Sequence, residues 1–288
     1  MSRELFPRTN IGSRSVSRMI IGTNNIMGGS HRTNARDRHI KEINNNPEAV
    51  SRIVEAYLEH GVDTIVGLLV GNPFALEGIR LAEDRTGKSV TTIQLAVFST
   101  DDNEEARRES DSYFAKCADS GIDICFPLHH CVENLVDKGN RKIHRIEDYL
   151  SMIRDHDMIP GLSAHMPEII EYADENEYDV ETYIQIYNSA GFLMQIEVET
   201  VHRIIWNARK PVLTIKPMAA GHLNPFVGLT FVWNTIREQD MVAVGCMTPE
   251  EAHEAIEYSF AAIEGRPPVV RGREYQYEKD LKARALHA

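Results

Sequence analysis

Short apolar runs of the strand type alternate along the chain with longer segments in which apolar residues recur every three or four positions. The first run is Arg18–Thr23. A polar stretch from Asn24 to Asn46 follows, and then Pro47 opens a segment whose Val50, Ile53, Val54 and Leu58 share one helical face and which stops at Gly61. Further strand-type runs fall at Val62–Gly67, Val90–Phe98, Ile122–His130, Ile159–His165, Glu181–Asn188, Val212–Ile215 and Met241–Val244. Helical segments are predicted at Pro73–Thr86, Glu104–Ser120, within Ile146–His156, at Pro167–Asp174, at Val198–Arg209 and after Gly221. A last helix opens at Thr248-Pro249-Glu250-Glu251, where Thr is a natural N-cap, Pro suits the first turn and carboxylates meet the positive end of the dipole.

Strand followed by helix, repeated eight times, is the unit of a parallel sheet with right-handed crossovers. Eight pairs in this length predict an α/β fold of the (β/α)8 TIM barrel type in a single domain, residues 1–288. The barrel is expected over about 16–264, with a charged tail at 265–288. An open doubly wound sheet is the rival, but the first strand lacks the Gly-rich turn of a dinucleotide fold. The polar connection 24–46 is long for an α/β loop, which marks it as functional or mobile.

A formal net charge of −12 argues against a general nucleic-acid or anionic-membrane surface, since phosphate binding needs clustered Lys and Arg. The four cysteines, Cys117, Cys125, Cys131 and Cys246, form no CxxC pair and fit free thiols of a reducing compartment. The amino-terminal residues lack the apolar core of a signal peptide, and the apolar stretch near Val62–Val70 is too short to span a bilayer. A cytoplasmic protein with a small-molecule substrate, no nucleic acid and no membrane partner is the expectation, and a homo-oligomer is compatible with it.

In a barrel the chemistry sits at the C-terminal ends of the strands. Ile124, Phe126, Leu128 and His130 share one parity, so a regular fourth strand would turn His130 inward with the barrel-filling residues and His129 outward. His130 is therefore the expected acid or base, with His165 a second proton carrier. Lys216, ending the seventh strand, is an anion anchor or a Schiff-base amine. Asn24, His129, Asn188 and His222 are candidate substrate contacts, and His31, Arg32 and Arg36 would form a lid able to hold a phosphate or carboxylate. A divalent metal held by His31, His130, His165 and Glu197 or Glu199 stays open, although no HxH or HExxH spacing supports it. Glu197 and Glu199 also suit the first turn of their helix.

The segments Ile215-Lys216-Pro217-Met218-Ala219-Ala220-Gly221-His222-Leu223 and Val242 to Glu257 resemble the last two βα units of aldo-keto reductases, especially the branch carrying iron–sulfur domains. Val16–Thr23, Gly61-Val62-Asp63, Gly161–His165 and Gln185-Ile186-Tyr187-Asn188 follow in the family's order, so the resemblance spans most of 16–262. It implies the barrel fold and places Gln185, Ala220, Gly221, Cys246 and Thr248 near a nicotinamide cofactor.

The chain departs from that family where the family does its chemistry. Val66 stands at the position of its Asp, Val70-Gly71-Asn72 replaces its Tyr, and the third strand has no Lys. Ala164 stands where an amide would meet nicotinamide, and Glu251 replaces the Arg that would hold the 2′-phosphate of NADPH. Without a phenol there is no evident proton donor for hydride transfer. The expectation is a barrel enzyme of carbohydrate or other hydroxy/oxo-compound metabolism doing non-redox acid–base chemistry, as isomerase, epimerase or lyase. A divergent NAD(P)-dependent oxidoreductase preferring NADH, and a non-catalytic ligand-binding barrel, are the alternatives.

Overall fold

The computed structural model describes residues 5–270. The chain starts with an antiparallel hairpin, β1 (Arg8–Ile11) and β2 (Arg14–Ser17), joined across Gly12 and Ser13. Gly12 takes a φ of +56°, which a two-residue turn needs and glycine adopts without steric cost. Ile11 and Val16 are fully buried and pack with the barrel's inward-facing residues, so the hairpin plugs the N-terminal end. Nothing in the periodicity marked this plug, yet Gly-Ser between two short alternating runs was the available signal.

The parallel sheet comprises β3 (Met19–Gly22), β4 (Thr64–Gly67), β5 (Thr91–Ala96) and β6 (Ile124–Pro127), and, beyond a side hairpin of β7 (Val136–Asp137) and β8 (Lys142–Ile143), continues with β9 (Ile159–Pro160), β10 (Leu162–Ser163), β11 (Tyr183–Ile186), β12 (Val212–Ile215) and β13 (Met241–Val244). All of its pairings are parallel, in the order β10-β11-β12-β13-β3-β4-β5-β6-β9. β9 pairs with β6 and β10 pairs with β11, and only Gly161 separates them. They are one strand bent at Gly161, which closes eight strands into a barrel. A Cβ at Gly161 would lie 2.2 Å from Cε1 of Phe126, so the bend requires glycine.

Eight helices surround the ring: α3 (Pro47–Leu58), α4 (Ala75–Thr86), α5 (Glu104–Asp119), α7 (Ile146–Asp155), α8 (Glu168–Glu175), α9 (Val198–Asn207), α10 (Pro225–Thr235) and α11 (Pro249–Glu264). The core forms two layers. Ile20, Val66, Ile93, Ile124, Phe126, Ile184, Leu213 and Met241 fill the barrel, while Tyr57, Ile65, Phe114, Leu150, Val212 and Ile256 belong to the layer between sheet and helices. Alternation along each strand feeds both layers, which is why these strands read as nearly continuous apolar runs.

Three further helices were not expected. The 24–46 connection is not an open loop but carries α1 (Asn24–Met27) and α2 (Asn34–Ile43). Thr33 caps α2 by accepting the Arg36 N–H, but only Ile40 of α2 is buried, so no apolar stripe announced it. The fourth strand stops at Pro127 and gives way to α6 (His129–Glu133). Of the charged tail, only its first residues are described: Arg266 pairs with Glu257, whose carboxylate also accepts the Val269 N–H, and 271–288 lie outside the described residues. Among the described residues no helix is long and apolar enough to cross a membrane.

Candidate active site at the barrel mouth

Because β6 ends at Pro127, the parity argument fails two residues before it reaches the histidines. The turn into α6 exposes His130 and brings His129 over the mouth instead. The ring of His129 stacks on that of His165 with centroids 3.8 Å apart and planes 15° from parallel. His130 only touches His129 edge-on, at 5.6 Å. The inward placement expected for His130 is thus corrected to His129. Glu133, from the end of α6, accepts the backbone N–H groups of His165 (2.6 Å) and Met166 (3.0 Å) and so fixes the end of the fifth strand. Its role was not visible in the sequence, because it depends on α6 forming.

Lys216 leaves β12 at a φ of +59°, and Ala219, Ala220 and Gly221 follow at +49°, +54° and +82°. For residues with a Cβ such conformations cost about 1–3 kcal/mol each and collect where a loop must present groups to a site. The Nζ of Lys216 lies 3.3 Å from Nε2 of His31, whose own φ is +55°. The same imidazole nitrogen is 3.1 Å from the side-chain amide of Asn24. Arg32 places Nη1 3.2 Å from Nδ1 of His222, and the His222 ring rests 5.1 Å from Phe192. The 24–33 segment therefore bridges to the β12 loop through two contacts, as a lid would.

Other candidates stand apart from this cluster. Asn188 is buried, its amide closing the loop after β11 through both polar groups of the Phe192 backbone. Arg36 is exposed on the first turn of α2. Around the mouth Leu68, Val97 and Leu193 expose their side chains, giving the rim an apolar edge that the sequence reading did not single out. A cavity of 330 Å³ lined by Asp174, Tyr183, Arg209 and Lys210 lies at the opposite end, the face of a barrel that serves stability rather than chemistry.

Electrostatics at the mouth follow from burial among like groups. Burial brings the ammonium of Lys216 down to about 8. Burial first, then the neighbouring His129, Lys216 and His31, hold His165 at about 3. His129 is lowered by burial, against an opposing pull from Glu133, and His31 by burial and then by Lys216. His31, His129 and His165 are neutral near pH 7, and Lys216 is close to its own titration point. No carboxylate pairs with Lys216 among the described residues.

Of the residues that the resemblance would place near a nicotinamide cofactor, Gln185, Cys246 and Thr248 engage groups of the fold itself. Gln185 shares a strand face with Tyr183, whose hydroxyl reaches Asp174 at the helix layer, so its amide turns from the mouth. It donates to the Ile186 carbonyl, and its Oε1 is buried without a partner. Cys246 is buried under the Tyr57 hydroxyl, and burial pushes its thiol up to about 12. Thr248 caps α11, while Glu251 accepts the Met247 N–H. Asn25 and Asn44, from the α1–α2 segment, donate to the carbonyls of Gly245 and Met247 and tie that segment over the same loop. The tyrosine hydroxyls for which a partner is described bond away from the imidazoles, to Cys246, Gln94, Ile143, Asp174 and Thr235.

The proposed metal set does not assemble either. Among the described residues the one group of three His, Cys or acidic side chains with ligand atoms within 4.8 Å of one another is Glu59, His60 and His253, on the outer surface. Glu197 is the N-cap residue of α9 and Glu199 lies in its first turn, as the dipole argument anticipated.

No family model and no curated protein matches the chain. Solved structures do match, and they define the class of fold. A Pseudomonas aeruginosa protein named for the aldo-keto reductases superposes with a TM-score of 0.62 at 11% identity, covering 91% of this chain and 98% of its own. The glycerol dehydrogenase of Gluconobacter oxydans gives 0.56 at 13% identity, covering 96% and 95%. The aldose reductase of Giardia lamblia gives 0.51 at 11%, covering 98% and 93%. The fold is that of an aldo-keto-reductase-like (β/α)8 barrel. At such identities the likeness shows the fold alone.

Proposed function

We propose that this barrel is an enzyme that moves protons on a small anionic oxo- or hydroxy-compound, as an isomerase, epimerase or lyase rather than a reductase. One observation carries the reading: a lysine amine, a stacked pair of imidazoles and a third imidazole share one mouth, with no phenol beside them among the described residues. His129 and His165 are the proton carriers. Arg32 receives the anionic part of the substrate with Lys216 beside it at the reacting carbonyl, and the His31 segment closes over it. A neutral imidazole can take a proton from a carbon next to a carbonyl and return it elsewhere, which suits isomerisation and elimination alike. The names of the glycerol dehydrogenase and aldose reductase structures favour polyol- or sugar-like substrates within this class.

The test is deuterium uptake. Small oxo acids, hydroxy acids and sugar phosphates are incubated with the protein in D2O and followed by proton NMR, in parallel with NADH and NADPH fluorescence titrations. Enzyme-dependent loss of a C–H signal beside a carbonyl, abolished in His129→Ala, supports the reading. Saturable NADPH binding with hydride transfer, and no exchange into any compound, would sink it.

A further inference from the structure

From the placement of Lys216 we infer that its amine is a nucleophile, forming an imine with the carbonyl carbon of the substrate. This rests on the proton-transfer reading above and narrows its substrate class to aldehydes and ketones bearing a carboxylate or phosphate.

The geometry separates Lys216 from Lys88, Lys138 and Lys210. Lys138 and Lys210 face the carboxylates of Glu168 and Glu181, and Lys88 donates to the Leu58 carbonyl. Each of those partners holds a proton on nitrogen. Lys216 instead faces Nε2 of His31, which can take a proton from the ammonium. The two other imidazoles of the mouth, His129 and His165, lie close enough to Lys216 to feel its charge. The backbone at Lys216 is held in the left-handed region, which fixes the direction in which its side chain leaves the strand end. Burial also brings the amine near its titration point at neutral pH, where free amine is available to attack.

The step balances without a further reactant. Nζ bonds to the carbonyl carbon and the C–O bond breaks. The oxygen leaves as water, carrying one proton from the amine and one delivered through an imidazole. The product is an iminium that keeps the last N–H, and as an electron sink it eases loss of a proton or a carbon–carbon bond next to the former carbonyl. His129 and His165 are placed to receive that proton. Arg32, with Nη1 3.2 Å from Nδ1 of His222, supplies the guanidinium for the anionic end.

Trapping tests this directly. Full-length protein is treated with glyoxylate and sodium cyanoborohydride near pH 7.5, and carboxymethylated lysines are located by peptide mass mapping. Lys216 is expected to react at least about tenfold faster than any other lysine, because lowering a pKa by two units raises the free amine about a hundredfold. Excess inorganic phosphate should slow its labelling by occupying the anion contacts. Lys216→Arg and Lys216→Met, both checked for folding by circular dichroism, should lose this fast phase only. Labelling spread over surface lysines, with Lys216 no faster than the rest, overturns the imine. If the wild-type protein then still exchanges deuterium into a carbonyl compound, the acid–base reading stands and the imine alone has failed; if wild type shows no exchange either, both have failed.

Discussion

The imidazole of His129 lies flat on that of His165, 3.8 Å between centroids, and both are close enough to feel the charge of Lys216, just past the seventh barrel strand. Stacked neutral rings tolerate this separation, whereas two imidazolium ions would repel across it. The pair therefore resists protonation.

That resistance has a signature in stability. His165 is held at about 3 in the folded protein, against about 6.5 when unfolded. Between those values the unfolded chain binds the extra proton, so stability falls as pH drops from about 6.5 toward 3 and is unaffected by this group above it. His165→Asn removes the titration. The melting-temperature difference between wild type and His165→Asn should be largest, in favour of wild type, at pH 7.5 and shrink by pH 5. A difference independent of pH would contradict the assignment.

The corrected register gives a second prediction. His129→Ala should lower turnover of an exchanged substrate by about 100-fold or more, the usual range for removing a general acid or base. His130→Ala should change it less than about twofold, because that side chain is exposed and outside the stack. Reversal of the two effects would restore the regular-strand picture that the end of β6 at Pro127 excludes.

Why one histidine was legible and its neighbour was misplaced is instructive. Strand positions and the eight-fold repeat follow from apolar runs, and Ile124 and Phe126 do point inward as their parity requires. Parity holds only while the strand is regular, and nothing local announces that α6 begins one residue after Leu128. Lys216 and His165 were found because the strand ends that carry them are marked by Pro217 and Pro167. Glu133 and the apolar rim of Leu68, Val97 and Leu193 were not, since their placement depends on contacts far apart in the chain. The α1–α2 segment was read as an open loop because a helix with a single buried side chain leaves no periodic trace.

Barrel closure at Gly161 predicts a large response to a small change. Gly161→Ala places a methyl group 2.2 Å from the Phe126 ring, which is fully buried in the barrel interior and has little room to yield. Overpacking of this kind costs about 1–3 kcal/mol. Urea denaturation should show that loss, and Phe126→Leu in the same chain should recover part of it. Two variants whose effects simply add would show that the ring and the methyl do not meet.

Asp240 is the most deeply engaged charge in the fold. Its carboxylate, with no exposed surface, accepts the Val212 and Arg237 backbone N–H groups and two bonds from the Arg237 guanidinium. Arg18, lying over Trp233, donates to the Asp240 carbonyl and locks β3 to the same turn. Removing one member of a buried pair leaves the other uncompensated, so Asp240→Ala should lose about 3–5 kcal/mol. Asp240→Asn keeps an acceptor oxygen and should lose less, measured by the same denaturant midpoint.

Lys216 should carry the opposite stability sign, since it holds a half-buried ammonium without a carboxylate partner among the described residues. Its pKa is about 8 in the folded protein against about 10.4 unfolded, so at pH 7 both states are charged and the folded one bears the burial penalty. Stability from this group rises as pH climbs from about 8 through 10.4, where the unfolded chain still holds the proton that the folded one has released. Lys216→Met should therefore melt a few degrees higher than wild type at pH 7. That advantage should shrink steadily toward pH 10, while fast labelling by glyoxylate is lost at every pH. A variant that melts lower at pH 7 would mean that the amine is stabilised in place by its neighbours, and a charge held that well would not be free to attack a carbonyl.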